Sequence, residues 1–390
     1  MKTQFKILIL MFSTSTLFYA QNSPAFQMDE KHTIYKENFK TNENTTFVLN
    51  LKNTSAQIFE SPDDKVYIEY TKEFNNTRKK RIKNQLKHLI VLGKKEGNKI
   101  TYSAKIRNDM HYNLYDFEEF ILKRSEKEKY LKGSTTKVVL RKSLDSILHD
   151  IKASESIYRN RFISALNRKT SYPRYKKNNQ FTITKMIIKI PKNIHVRATL
   201  EGSNLVFFDD FFNRSTMNAR NSKLKFKTLS NPLNIFDVDN GYFRATEVAN
   251  GIYSFANVKQ VIIGELENAQ ITSEFTKLEI GEIGRGNKII DFNSKYYLYN
   301  FRNDFGDFNM YTEYSDINLF YPKNIKFYLE TIGYNTLHKN KSITTEITES
   351  CKNESSKMIV IGKESNPNKI KINTIHGIIR FGEGFIDLGE

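Results

Sequence analysis

The sequence has little of what usually anchors a small or metal-dependent fold. Its 390 residues include one cysteine and no tryptophan. A single thiol excludes an internal disulfide framework and any cysteine-rich zinc or iron–sulfur site. The seven histidines, at 32, 88, 111, 149, 195, 338 and 376, form no i,i+4 pair, so no helical metal motif is present. There is no Gly-Xaa-Ser-Xaa-Gly elbow, and neither a metal nor a cofactor is implied. Seven prolines and seventeen glycines are too few for a collagen-like or low-complexity chain. What is abundant is aromatic and basic: 29 phenylalanines, 21 tyrosines and a formal net charge of +18. The aromatic content argues for a packed core.

The first residues read as a secretory signal. Lys2 and Lys6 precede the apolar run Ile7–Phe12, then a Ser/Thr stretch and Leu17-Phe18-Tyr19-Ala20-Gln21. Positive, apolar and small residues in this order predict cleavage after Ala20. The run is well short of the ~20 residues needed to span a bilayer, and no second run approaches that length. The expectation is an exported protein of the periplasm or cell surface, with no transmembrane segment once the signal is removed. Cys351 reads as a buried or idle thiol, with intermolecular pairing as the alternative.

Charge is concentrated. Residues 76–177 carry 27 basic and 10 acidic side chains, whereas residues 1–75 and 178–390 are nearly balanced. The excess is therefore a local electrostatic feature.

Periodicity divides the remainder into three parts. Residues 33–106 form a strand-rich N-terminal module, with Phe47, Leu49 and Leu51 alternating against Val48, Asn50 and Lys52. One helix is predicted within it over Asn76–Leu92, from Ile82, Leu86, Leu89 and Ile90, with Gly93 as its stop. Residues 107–180 read as a basic helical insertion, with apolar spacing at Leu114, Phe117, Phe120 and Ile121. A longer stretch there uses Leu144, Ile147, Leu148, Ile151, Tyr158, Phe162 and Leu166. From 181 to 390 short strands return and repeat. Val261-Ile262-Ile263-Gly264-Glu265-Leu266 matches Leu278-Glu279-Ile280-Gly281-Glu282-Ile283. A period near 17–20 without intervening helix predicts stacked β-coils, each burying its apolar side against the next. Phe226, Phe243, Phe275, Phe292 and Phe308 are expected to fill that core. Gly281, Gly284 and Gly286 are expected to relieve crowding at coil corners. An antiparallel sandwich is the competing architecture.

The opening Thr45-Thr46-Phe47-Val48-Leu49-Asn50, Lys277–Glu282 and Asp316-Ile317-Asn318-Leu319 together resemble the adhesin-like β-strand-repeat proteins of bacterial envelopes. These are exported and largely uncharacterised proteins. The resemblance spans roughly 33–106 and 181–381. It implies a mainly β fold with a C-terminal right-handed β-solenoid and a non-catalytic binding or scaffolding role. It carries no catalytic residues.

Three sets of residues are candidates for function. Arg78, Lys79, Lys80, Arg81, Lys83 and Lys87 form a basic cluster for an anionic partner. For an exported chain that partner is an anionic glycan, lipid headgroups or another envelope protein rather than cytosolic nucleic acid, with salt-dependent contact. Asp237 and Asp239, two apart on a strand, with Asp209 and Asp210 on a neighbouring coil, are the alternative: a polysaccharide-acting β-solenoid enzyme. Tyr296, Tyr297, Tyr299, Tyr311, Tyr314 and Tyr321 could stack on sugars, although alternation assigns most of them to the core or a sheet edge.

Overall fold

The computed structural model describes residues 30–75, 77–106, 138–152, 181–322, 325–342, 348–353 and 356–388. The signal segment and the predicted helical positions Leu114–Ile121 and Tyr158–Leu166 lie outside the described residues. The fold is mainly β. Alternation in the sequence becomes alternation in burial: along Thr46–Lys52 the side chains of Phe47, Leu49 and Leu51 are buried and the intervening ones half-buried.

Successive passes of the chain lie side by side in parallel, in-register ladders. One ladder carries Lys99–Ile106, Thr46–Lys52 and His195–Glu201, then the first halves of Ser215–Leu229, Ile235–Ala249 and Ile252–Glu267. It continues through Gln270–Glu274, Asn287–Phe292, Asp307–Glu313, Asn368–Ile375 and Phe327–Tyr334. A second ladder carries Phe181–Ile190, Ser55–Glu60 and Asn204–Phe207, then the second halves of the same three long strands. It ends with Lys277–Ile283, Lys295–Phe301, Asp316–Phe320, Ile378–Gly382 and Leu337–Ser342. The long strands turn from one ladder to the other at Asn221, Asn240 and Asn257, each with positive φ. Asparagine tolerates that left-handed conformation because its short polar side chain bonds locally.

Chain order and spatial order differ at both ends. Residues 99–106 and 181–190 lie outside the earlier pass 46–60, and 368–382 inserts between 307–320 and 327–342. Antiparallel strands close these ends: Glu30–Lys40, Lys65–Asn75 and Leu89–Glu96 at one, Ser356–Ile361 and Thr348–Asn353 at the other. Such cover protects edges that would otherwise template pairing with another chain. Cys351 lies on the strand Thr348–Asn353.

One apolar cluster runs from Phe47 to Phe381. Phe226, Phe236, Phe243, Tyr253 and Phe255 interlock at centroid distances of 5.0–6.5 Å. Phe226, Phe243 and Phe308 are core residues as expected. Phe275 and Phe292 are not: they are 50% and 39% exposed, because they stand at a corner and on an outward strand position.

The predicted helix is shorter than its apolar spacing suggests. It covers Lys79–Lys87, with Ile82 and Gln85 buried. Leu89 and Ile90 instead open the strand Leu89–Glu96, whose pairing with Lys99–Ile106 satisfies that strand's open edge. Gly93 is not a helix stop. It sits within that strand, where a Cβ would lie 1.7 Å from the Tyr35 hydroxyl.

Candidate functional site

The six basic residues stay together. Arg78, Lys79, Lys80, Arg81, Lys83 and Lys87 are all exposed on and beside the helix Lys79–Lys87, at the end covered by antiparallel strands. The helix has no side-chain N-cap and no acid in its first turn. Cations there oppose the helix dipole, which favours negative charge at that terminus.

The carboxylate set is not brought together. Asp237 and Asp239 share an outward face opposite Asn218 and Arg220. Asp209 and Asp210 follow a strand of the other ladder, where Asp209 accepts from the Glu60 amide and Asp210 from Lys227 at 3.0 Å. Among the described residues no group of three His, Cys, Asp or Glu could hold a metal ion. A shallow groove of about 360 Å³ crosses Gly251, Ala269 and Gly286, with Lys288 as its one charged side chain.

Part of the insertion is fastened across the second ladder's outer face. Val138–Leu140 pairs with Phe385–Asp387, and residues 144–152 are helical. Ile147 and Ile151 pack on Ile262, Tyr297, Tyr299 and Phe320. The glycines of the two repeat segments make room for them. A Cβ at Gly264 would lie 2.6 Å from Leu148, and one at Gly281 3.2 Å from Ile147. Gly281 therefore serves helix docking rather than a corner, whereas Gly286, at φ +67, is a corner residue as expected.

A buried carboxylate pins this segment. Glu279 is 4% exposed and meets Lys277 at 2.8 Å, Lys142 at 2.9 Å and Gln260 at 2.9 Å. The Tyr299 hydroxyl donates to it at 3.3 Å. Burial alone would raise its pKa; the two lysines overcome that and hold it at about 2. Beside it, Arg141 donates to Asn300 and to the Tyr321 and Glu383 carbonyls.

The most unusual surface lies at a corner between the ladders. Over five passes adjacent in space, one ring projects from each: Phe275, Phe292, Tyr314, His376 and Tyr334. Their centroids are 5.6, 5.8, 5.1 and 6.0 Å apart in sequence along the corner. Phe275, Tyr314 and Tyr334 are 50%, 53% and 48% exposed. Backbone bonds tie the passes: Phe275 N donates to Phe292 O, Asn293 N to Glu313 O, Tyr314 N to Ile375 O and His376 N to Tyr334 O. The corner residue has positive φ in every pass. It is asparagine at 293 and 335, where the preceding residue supplies the ring. It is itself the ring at Phe275, Tyr314 and His376, with φ of 47°, 56° and 51°. A non-glycine residue there costs roughly 1–2 kcal/mol, and asparagine is among the few tolerated. Bulky rings in strained, exposed positions are costly for folding and point to a use.

Beside the ring row, the outward strand positions present Thr272, Glu274, Ile290, Tyr311, Glu313, Asn373 and Ile375. Of the tyrosines singled out in the sequence, Tyr296, Tyr297, Tyr299 and Tyr321 are buried, while Tyr311 and Tyr314 are exposed. The ring row was missed because its members alternate between two sequence positions. Its trace is the Ser, Thr or Gly after each corner: Phe275-Thr276, Asn293-Ser294, Tyr314-Ser315, Asn335-Thr336, His376-Gly377. Thr276 and Ser294 turn inward and accept the amides of Val258 and Thr276.

No family model and no curated protein matches the chain. It aligns with a solved structure of a candidate cell adhesion protein from Clostridium sporogenes at 8% identity, over 91% of this chain and 99% of that one. The TM-score is 0.19, too low to indicate a common fold. No helix among the described residues is long and apolar enough to cross a membrane.

Proposed function

We propose that this chain is an exported, non-catalytic envelope protein, a capped β-solenoid whose ring-bearing corner is an adhesin-like binding surface. The observation that carries the reading is the row of five exposed rings, three of them in backbone positions that disfavour any bulky residue. A rigid stack suits such a role because parallel, in-register passes hold side chains at a fixed interval of about 4.8 Å. The signal-like order of Lys2–Ala20 supports export. The test is retention on envelope material by the protein and by a Phe275→Asn/Tyr314→Asn double variant, with protease accessibility on intact cells. Ring-dependent retention by a chain lacking residues 1–20 is the expected outcome. Equal retention by the double variant, or an unprocessed cytoplasmic chain, overturns the reading.

A second contact surface is favoured by one observation. The helix Lys79–Lys87 keeps Lys79, Lys80 and Arg81 in its first turn against its own dipole. Such a cluster suits an anionic envelope polymer, through contacts that weaken with salt. Neutralising Arg78, Lys79, Lys80 and Arg81 is expected to lower retention at low salt and not at high salt. Identical retention at low salt refutes it.

A further inference from the structure

The chemistry around the ring row narrows the ligand. On the first-ladder side of the row the flanking positions are acidic, apolar or uncharged polar, and the two lysines that follow the corner on the other side, Lys277 and Lys295, are ion-paired with Glu279 and Asp316. Glu274 and Glu313 sit on either side of Phe292, each one strand away, and are exposed. Neither makes an ion pair among the described residues. Thr272 and Asn373 lie in the next outward column with Ile290 and Tyr311. One column further out, Lys288 stands over the Tyr311 ring at 5.8 Å. A polyanion running along this corner would meet Glu274 and Glu313, with repulsion on both sides of the central ring. The basic helix is no help to it there, because it lies at the opposite end of the stack.

We infer that the row of Phe275, Phe292, Tyr314, His376 and Tyr334 is a binding track for a neutral polysaccharide lying along the stacking direction. This rests on the binding role proposed above. A pyranose ring offers an apolar C–H face and a rim of hydroxyls. Aromatic rings match the first, and exposed carboxylates, amides and hydroxyls match the second. The ring spacing of 5.1–6.0 Å is comparable to the length of one pyranose unit. One ring per pass therefore fits a regular polymer better than a folded protein surface, which has no such repeat. Neutral hydroxyls also leave Glu274 and Glu313 hydrogen-bonded instead of buried as bare charges.

The corner itself supplies the control variants. Asparagine occupies the same left-handed position at Asn257, Asn293 and Asn335. Phe275→Asn and Tyr314→Asn thus copy a residue this fold already uses there, and are expected to fold.

Affinity electrophoresis of the full chain in gels containing mixed-linkage β-glucan, xylan, galactomannan or dextran tests the inference. Alginate and a polylysine peptide are the charged comparisons. The expected result is retardation by at least one neutral polysaccharide, undiminished in high salt, and at least tenfold weaker in the Phe275→Asn/Tyr314→Asn variant. Glu274→Gln/Glu313→Gln is expected to weaken it while leaving it salt-insensitive. Retardation by none of the neutral polymers, with ring-dependent retention on envelope material intact, overturns the glycan but leaves the binding role standing. Salt-sensitive, ring-dependent capture of polylysine assigns the row to a cationic partner and overturns the inference. Ring-dependent self-association in sedimentation, without glycan binding, assigns it to a second copy and does the same. Loss of ring dependence in every assay overturns both readings.

Discussion

Glu279 offers the sharpest test of how the insertion is held. The perturbation is Glu279→Gln, which keeps the side chain's shape and removes its charge. In the folded chain this carboxyl is held at about 2, against an ordinary value of 4.5. That difference corresponds to about 3 kcal/mol at 1.36 kcal/mol per pKa unit. The group is almost fully buried, so little of this is lost to solvent screening, but Lys277 and Lys142 are 41% and 34% exposed and keep part of their hydration without it. A net loss of about 2 kcal/mol is expected. Because the folded pKa is depressed, the stabilisation is complete above the unfolded carboxylate range. It declines as pH falls from about 5 toward 2. Glu247 and Glu265 act in the opposite sense: burial first, and then the neighbouring Glu265 and Glu282 respectively, raise their pKa values. Their protonation partly offsets the loss on acidification, so the comparison is between Glu279→Gln and the parent at each pH. Amide exchange of residues 139–151 is the assay, because the segment can open locally without unfolding the stack. At pH 7 the variant should exchange severalfold faster there, short of the roughly 30-fold that the whole of about 2 kcal/mol would give, because Lys277 lies on the stack and keeps its contact with Glu279 when the segment opens. The two proteins should converge near pH 2. Equal exchange at pH 7, or a difference that does not shrink on acidification, would falsify the assignment of Glu279 as the pin.

Other expectations concern packing and charge. Gly281→Val places a Cβ 2.7 Å from the Gly264 carbonyl and 3.2 Å from Ile147; overpacking of this kind costs about 1–3 kcal/mol. It should release residues 144–152 to protease while the stack keeps its far-ultraviolet spectrum, and an unchanged cleavage pattern would count against the docking. Phe243→Ala removes a fully buried ring shared by Phe226, Phe236, Tyr253 and Phe255. It should cost about 3–5 kcal/mol, read as a lower denaturation midpoint; a loss under 1 kcal/mol would contradict a continuous core there. Lys79→Glu should stabilise the helix Lys79–Lys87 by roughly 0.3–1 kcal/mol through the dipole while weakening low-salt retention on anionic polymers. Destabilisation would show that the charge pattern has a structural role.

The sequence alone determined that this is a mainly β chain with repeating strands. Alternation in Thr46–Lys52 and the matched segments Val261–Leu266 and Leu278–Ile283 report burial directly, because a strand's side chains have a period of two. It also located the basic cluster 78–87, since charge is a property of composition. The helix end was illegible, because Leu89 and Ile90 fit a helical face and a strand equally well until an open edge is there to pair with them. The roles of the glycines and the rings were illegible for a related reason. Gly264 and Gly281 are small because residues 144–152, more than a hundred positions earlier, lie on them. His376 and Tyr334 extend the row of Phe275, Phe292 and Tyr314 only when 368–382 inserts before 327–342 in space. Local pattern specifies which side of a strand is apolar. Which passes become neighbours, and hence which surface they build, is decided by long-range pairing that no local period records.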